Sequence, residues 1–132
     1  MHISIISAHT NIYSASGVLT ILSYFLMDDI GARKIESVIN WLKDDEYESA
    51  VLNYSYIKKN NNMVNIYCFY DGYEREELSE REVFIVEKAE LIKLVQQWGQ
   101  VCTTFEYVKI IKEGNSISLT GVWAKDRFNS EK

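Results

Sequence analysis

The chain has no proline, only two cysteines and only two histidines among its 132 residues. The absence of proline disfavours a Pro-rich recognition arm or a disordered linker. Histidine is the commonest general base in enzymes, and both histidines, His2 and His9, lie near the start of the chain. Cys68 and Cys102 form no CxxC pair and no dense disulfide framework, which favours buried thiols in a reducing cytoplasm. On sequence grounds a disulfide between these two cysteines stays open.

Motifs that would name a reaction are also missing. The sequence has no GxGxxG, no phosphate-binding loop with Gly-Lys-Ser/Thr and no GxSxG element. A nucleophilic Cys68 would need a histidine and an electropositive setting, and its neighbours Tyr67 and Phe69 supply neither. The histidines and cysteines lack zinc-site spacing, and the acidic stretches lack EF-hand spacing. We therefore expect no catalytic residue, no bound metal, no cofactor and no enzymatic activity.

Long hydrophobic runs and an excess of positive charge are absent as well. The apolar run from Gly17 to Met27 is too short to cross a bilayer, and no Lys or Arg precedes it. The formal net charge is −5, from 14 basic and 19 acidic residues, which disfavours binding to nucleic acid. We expect a cytoplasmic protein with a basic protein as its partner and no contact with a membrane. Nothing in the sequence indicates an oligomeric state.

Helical periodicity appears in three places. Apolar residues follow helical spacing from Ser16 to Leu26, where the pair Asp28-Asp29 interrupts the run. A second helix is predicted from about Ala32 to Lys43, and the clearest one from Glu87 to Thr103. The first dozen residues are ambiguous between a short strand and a lead into the first helix.

The remaining patterns predict strands. These run from Tyr47 to Lys58, Met63 to Tyr70, Val83 to Val86, Phe105 to Lys112 and Ser116 to Val122. Turns are predicted at Lys59 to Asn62 and at Glu113 to Asn115, where asparagine and glycine tolerate a positive φ. The element order is helix, helix, three strands, helix, two strands. Hairpin-like connections predict one α+β domain over residues 1–132, with a mostly antiparallel sheet of about five strands and helices on one face.

Two acidic regions stand out against this ordinary background. Asp71 to Glu82 holds six acids and two bases, far more charge than a strand connection needs, and Asp44 to Glu48 holds four more acids. Charged residues at the edges of sheets commonly prevent aggregation, and this general role would explain isolated carboxylates. It explains two separate clusters of carboxylates less well. Tyrosines beside carboxylates suit protein binding, because aromatic side chains bury area while acids steer a cationic partner. The candidate partner-binding residues are Asp44, Asp45, Glu46, Glu48, Asp71, Tyr73, Glu74, Glu76, Glu77 and Glu80.

The second half of the chain resembles a known group of proteins. The stretch EVFIVEKAELIKLVQQWGQV followed by EYVKIIKEGNSISLTG resembles the C-terminal half of bacterial immunity proteins of contact-dependent growth inhibition and related polymorphic toxin systems. The shared pattern is a strand, a helix with the stripe Leu91, Ile92 and Trp98, and a hairpin closed by Gly-Asn, over residues 82–122. These families diverge widely, so no binding residue transfers from them.

The resemblance implies an immunity protein that neutralises the C-terminal domain of a cognate toxin, with a nuclease as the expected activity of that toxin. An acidic inhibitor would occupy the cationic cleft in which phosphates bind. Two alternatives remain. One is a general interaction or regulatory module for another basic protein. The other is a small enzyme with a site built from Asp, Glu and Tyr.

Overall fold

The computed structural model describes residues 2–7, 12–14, 18–69, 82–114 and 116–123, with side chains from Leu19 onward. Eight strands are described: β1 (His2–Ser7), β2 (Ile12–Ser14), β3 (Ser49–Val51), β4 (Ser55–Asn60), β5 (Met63–Cys68), β6 (Val83–Glu87), β7 (Tyr107–Glu113) and β8 (Ser116–Val122). Three α-helices accompany them: α1 (Val18–Tyr24), α2 (Ile35–Lys43) and α3 (Lys88–Val101). The α+β class is confirmed.

The strands form two antiparallel sheets of four strands each, whereas the sequence predicted one sheet of about five strands. The first sheet has the order β2-β1-β7-β8, and the second has the order β3-β4-β5-β6. The ambiguity at the start of the chain resolves in favour of strands, because β1 pairs along its whole length with β7. This pairing joins segments about a hundred positions apart, which local periodicity cannot reveal.

Helices α1 and α3 contact strands of both sheets, and α2 lies against α3. Alternate residues of β5 and β6 point toward the helices, so Val64, Ile66 and Phe84 are buried while Ile85 is exposed. One cluster of buried apolar side chains therefore includes residues from the helices and from both sheets. Its members include Leu22, Phe25, Ile57, Ile66, Phe84, Leu94, Trp98, Val108 and Ile110.

The first predicted helix does not end at its aspartate pair. After α1 the backbone widens into a π-helical segment, Phe25–Ile30, which carries Asp28 and Asp29 and ends at Gly31 with a positive φ of 55°. Glycine adopts this φ without strain. The indole Nε1 of Trp98 donates a 2.8 Å hydrogen bond to the carbonyl of Gly31, which fixes this end of the segment against α3.

The strand predicted from Tyr47 to Lys58 is in fact a hairpin. Val51 in β3 pairs with Tyr56 in β4, and the Leu52 N–H donates to the Ser55 carbonyl across the turn at 2.8 Å. The other predicted turns are confirmed at Asn61, with φ of 58°, and at Gly114, with φ of 63°. Asn115, the other turn residue predicted beside Gly114, lies outside the described residues.

Candidate functional site

The loop Asp44 to Glu48, which we call the acidic loop, joins α2 to β3. It contains four of the ten predicted partner-binding residues, the four that the structure describes. A carboxylate oxygen of Asp44 accepts a 2.8 Å hydrogen bond from the Glu46 backbone N–H, a local turn typical of aspartate. The Glu48 carbonyl accepts the Lys59 N–H at 2.6 Å, so the end of the loop continues the pairing of β3 with β4. The loop is therefore fixed at both its start and its end.

Lys59 holds the acidic loop to the end of α2. Its ammonium donates hydrogen bonds to the carbonyls of Trp41, at 2.7 Å, and of Asp44, and it lies 4.1 Å from the centre of the Trp41 ring. A cation suits this position because the last carbonyls of a helix are unpaired and carry partial negative charge. Burial lowers the pKa of Lys59, and the charge of Asp44 opposes that change.

Most side chains of the acidic loop point into solvent. Tyr47 is 59% exposed, which is high for a large aromatic side chain, and Glu46 and Glu48 are exposed on either side of it. Asp45, with 96% of its side chain exposed, lies 3.9 Å from the ammonium of Lys88. Among the described residues, neither Glu46 nor Glu48 forms an ion pair. Two free carboxylates and one exposed tyrosine therefore face outward together.

The other predicted site residues fall in a segment outside the described part of the chain. Six of them lie there: Asp71, Tyr73, Glu74, Glu76, Glu77 and Glu80. The described residues next to this segment are Phe69 and Glu82, and the Phe69 N–H donates a 2.6 Å hydrogen bond to the carbonyl of Tyr54. Tyr54 and Lys59 mark opposite ends of β4, roughly 17 Å apart at the usual rise of a strand. The structure therefore describes only one of the two predicted acidic regions, and a contact of the partner with Asp71 to Glu82 stays a prediction.

A groove with a volume of about 190 Å³ separates α2 from the β3–β4 hairpin. Helix positions one turn apart form one wall, and side chains of the hairpin form the other. The lining residues are Lys34, Ser37, Val38, Trp41, Ala50, Leu52 and Ile57. Only apolar atoms of these residues face the space. The acidic loop connects α2 to β3, the elements that carry the two walls, and none of its residues lines the groove.

Asp29 is the most deeply buried carboxylate among the described residues, at 1% exposure. Its carboxylate accepts hydrogen bonds from the Tyr54 backbone N–H, at 2.8 Å, and from the Ser55 hydroxyl. Burial raises the pKa of Asp29, and these hydrogen bonds partly offset that rise. Burial, followed by the charge of Asp29, also raises the pKa of Asp28. This enclosed carboxylate therefore fixes the start of β4 through its hydrogen bonds.

A second cavity, of about 360 Å³, lies beside the end of β8. The rings of Phe105 and Trp123 flank it with centroids 4.5 Å apart, and Lys109 and Thr120 contribute polar groups. Gly121 lies under Phe105, and a Cβ added there would fall 2.0 Å from the Phe105 ring. The glycine thus makes room for the aromatic side chain.

The two cysteines are not joined in a disulfide. Cys102 is buried as predicted, whereas Cys68 is only half-buried. Burial raises the pKa of the Cys102 thiol. In the part of the chain that the structure describes, no three His, Cys, Asp or Glu side chains group as metal ligands. None of the described helices is long and apolar enough to span a membrane.

Three residues that shape the site lie outside the predicted partner-binding set. The sequence pattern predicts a strand at Tyr47, a turn at Lys59 and a helix end at Asp29. A signal exists for Tyr47, which lies between Glu46 and Glu48 in a charged stretch where a core aromatic is unexpected. Lys59 and Asp29 act through partners 15 to 26 positions away, and no local pattern marks such contacts.

Comparison of the chain with protein-family models, with curated proteins and with solved structures finds no match.

Proposed function

We propose that this chain is a cytoplasmic immunity protein that binds and neutralises one cognate bacterial toxin domain, with a nuclease as the expected toxin. The observation that carries the proposal is the acidic loop, which presents Tyr47 between two free carboxylates on a backbone held by Lys59. Exposed aromatic residues supply the buried anchor of many interfaces, and a preorganised loop loses little conformational entropy on binding. Inhibition by contact requires no catalytic group in the inhibitor.

Charge supports a basic partner. The chain carries a net charge of −5, and many nuclease clefts are cationic because they bind phosphates. Carboxylates at the edge of an interface mainly accelerate association, while desolvated aromatic contacts slow dissociation. The arrangement of Glu46, Tyr47 and Glu48 combines both kinds of contact. The same chemistry would serve a regulatory module for another basic protein, and the experiment below separates the two functions.

The test is rescue of growth. Toxin domains encoded beside the gene for this chain are expressed in a bacterial host, with and without the full chain. We expect the wild-type chain to restore growth against one of them. Failure to restore growth against any of them overturns the immunity function. If the chain instead binds a basic protein that is not toxic, the regulatory alternative replaces it.

Charge reversal then identifies the contact surface. With the toxin domain immobilised in a catalytically disabled form, Glu46→Lys and Glu48→Lys should each lower the association rate, by roughly three- to tenfold at low salt. Glu113→Lys changes the net charge equally on an exposed position of the first sheet and is the matched control. Reversal of Glu76, Glu77 and Glu80 to lysine tests the other acidic region in the same assay. Unchanged association for a reversed region removes that region from the interface.

A further inference from the structure

We infer that the groove between α2 and the β3–β4 hairpin receives one aromatic side chain of the partner, next to a basic residue that pairs with Glu46 or Glu48. This inference rests on the proposed function and specifies where the partner's anchor residue binds.

The size and lining of the groove fit a single ring. A cavity of about 150 Å³ is large enough to bind benzene. The groove is partly open to solvent, has a volume of about 190 Å³ and presents only apolar atoms. A phenyl or phenol ring would make van der Waals contacts with this lining and displace water that forms no hydrogen bond to it.

The groove has firm walls. Ala50 and Ile57 belong to paired strands, and their backbones are fixed by the β3–β4 ladder. On the other side, Lys59 lies over the Trp41 ring and binds the carbonyls of Trp41 and Asp44. A binding pocket that is formed before the partner arrives loses little free energy to ordering.

Charges of both signs lie near the groove, and their placement selects the partner's chemistry. The acidic loop connects the two walls in the chain, between Trp41 on α2 and Ala50 on β3. Its Glu46 and Glu48 carboxylates form no ion pair with the described residues. Lys34 lines the groove at the start of α2, where its charge acts on the buried carboxylate of Asp29. A cationic residue beside the partner's aromatic ring would therefore be attracted toward the carboxylates of the acidic loop and repelled by Lys34.

The first experiment needs no toxin. Toluene, which corresponds to the phenylalanine side chain, is titrated into the full wild-type chain while the Ala50 methyl and Trp41 indole signals are followed by nuclear magnetic resonance. We expect saturable shifts at both positions and none at the Trp123 indole. Absence of a saturable shift at Ala50 and Trp41 overturns the inference.

The second experiment fills the groove. Ala50→Leu adds an isobutyl group to the lining, and we expect its complex with the toxin domain to dissociate at least tenfold faster than that of wild type. Ser118→Leu introduces the same side chain at an exposed position of β8 and should dissociate like wild type. Wild-type dissociation by a folded Ala50→Leu variant overturns the inference while the proposed function stands.

If the Ala50→Leu variant does not fold, a third measurement on the wild-type chain tests the same inference. The toxin domain is added to the wild-type chain, and the Ala50 and Trp41 signals should shift on complex formation. If growth is restored but both signals stay unchanged in the complex, the groove is outside the interface and the inference is wrong. If growth is not restored by any toxin domain, the proposed function fails independently of the toluene result.

Discussion

Asp29 and Tyr54 lie 25 positions apart and are joined by a 2.8 Å hydrogen bond from the Tyr54 backbone N–H to the Asp29 carboxylate. The other carboxylate oxygen accepts the hydroxyl of Ser55, the first residue of β4. One side chain in the π-helical segment thus holds the turn between β3 and β4. The geometry of this turn positions the β3–β4 hairpin, and therefore one wall of the groove, relative to α2.

Replacing Asp29 with alanine should destabilise the fold by about 2–3 kcal/mol. The substitution leaves the buried Ser55 hydroxyl without its acceptor, which costs about 1–3 kcal/mol of stability, and the part-buried Tyr54 N–H adds a smaller loss because water can reach it. Chemical denaturation monitored by circular dichroism measures the change. Asp45→Ala, at a side chain that is 96% exposed, should stay within about 0.5 kcal/mol of wild type. Equal stability of the two variants would contradict the role assigned to Asp29.

The contribution of Asp29 to the free energy of unfolding should decrease as the pH rises. Burial raises its pKa above the ordinary value of 3.8, so the folded protein retains the proton at pH values where the unfolded chain has lost it. Because the folded state binds this proton more tightly, stability falls as the pH rises from about 3.8 to the pKa that Asp29 has in the folded protein. Above that pKa the stability levels off. Asp28, whose pKa is also raised, changes stability in the same direction.

A comparison with Asp29→Asn isolates this effect, because asparagine does not titrate. The difference in unfolding free energy, wild type minus variant, should be largest near pH 3.5 and should decline toward pH 7. Urea denaturation at a series of pH values provides the curve. A difference that grows with pH would mean that the folded state lowers the pKa of Asp29.

Replacing Lys59 with methionine should destabilise the protein by about 1–2 kcal/mol, because the carbonyls of Trp41 and Asp44 lose a charged donor. Methionine keeps much of the apolar stem, so the loss reports mainly on the ammonium. Lys58→Met is the control, since the neighbouring lysine is exposed on the opposite face of β4. Denaturation curves for both variants measure the effect. Similar losses of stability in the two variants would show that the Lys59 ammonium does not hold α2 to the acidic loop.

Adding a methyl group at Gly121 should destabilise the protein by about 1–3 kcal/mol. A Cβ at this position would lie 2.0 Å from the Phe105 ring, and overpacking of this kind forces side chains out of their preferred rotamers. Combining Gly121→Ala with Phe105→Leu should recover part of the loss, because the smaller side chain leaves space. A double-mutant cycle on thermal stability tests the coupling. Strict additivity of the two changes would show that Phe105 does not limit the space at Gly121.

Periodic elements were predictable from the sequence because their signal is local. The stripe Leu91, Leu94 and Trp98 predicted α3 to within two residues at each end, and Ile35 and Leu42 predicted the body of α2. The hairpin at the end of the chain followed from the glycine at its turn. These segments carry their structural information within a few turns or one strand pair.

The hairpin within residues 49–60 was not predictable for a physical reason. Its turn, Leu52 to Tyr54, contains no glycine or proline, and it is stabilised by Asp29 from another part of the chain. The division of the strands into two sheets likewise depends on the pairing of β1 with β7. At the site, the composition of the acidic loop indicated a charged surface, but the groove beside it depends on how α2 and the hairpin are placed in space.

The pairing of β1 with β7 also has a consequence for synthesis of the chain. Ser7 pairs with Tyr107, one hundred positions later, so β1 is translated long before its partner strand. At roughly 5–20 residues per second, the ribosome needs on the order of 5–20 s to cover that distance. During this interval the second sheet and α3 emerge first, while β1 still lacks the strand that completes its hydrogen bonding. The first sheet can therefore complete its pairing only after all strands of the second sheet have been translated, and a partner that recognised only the second sheet would not depend on that late step.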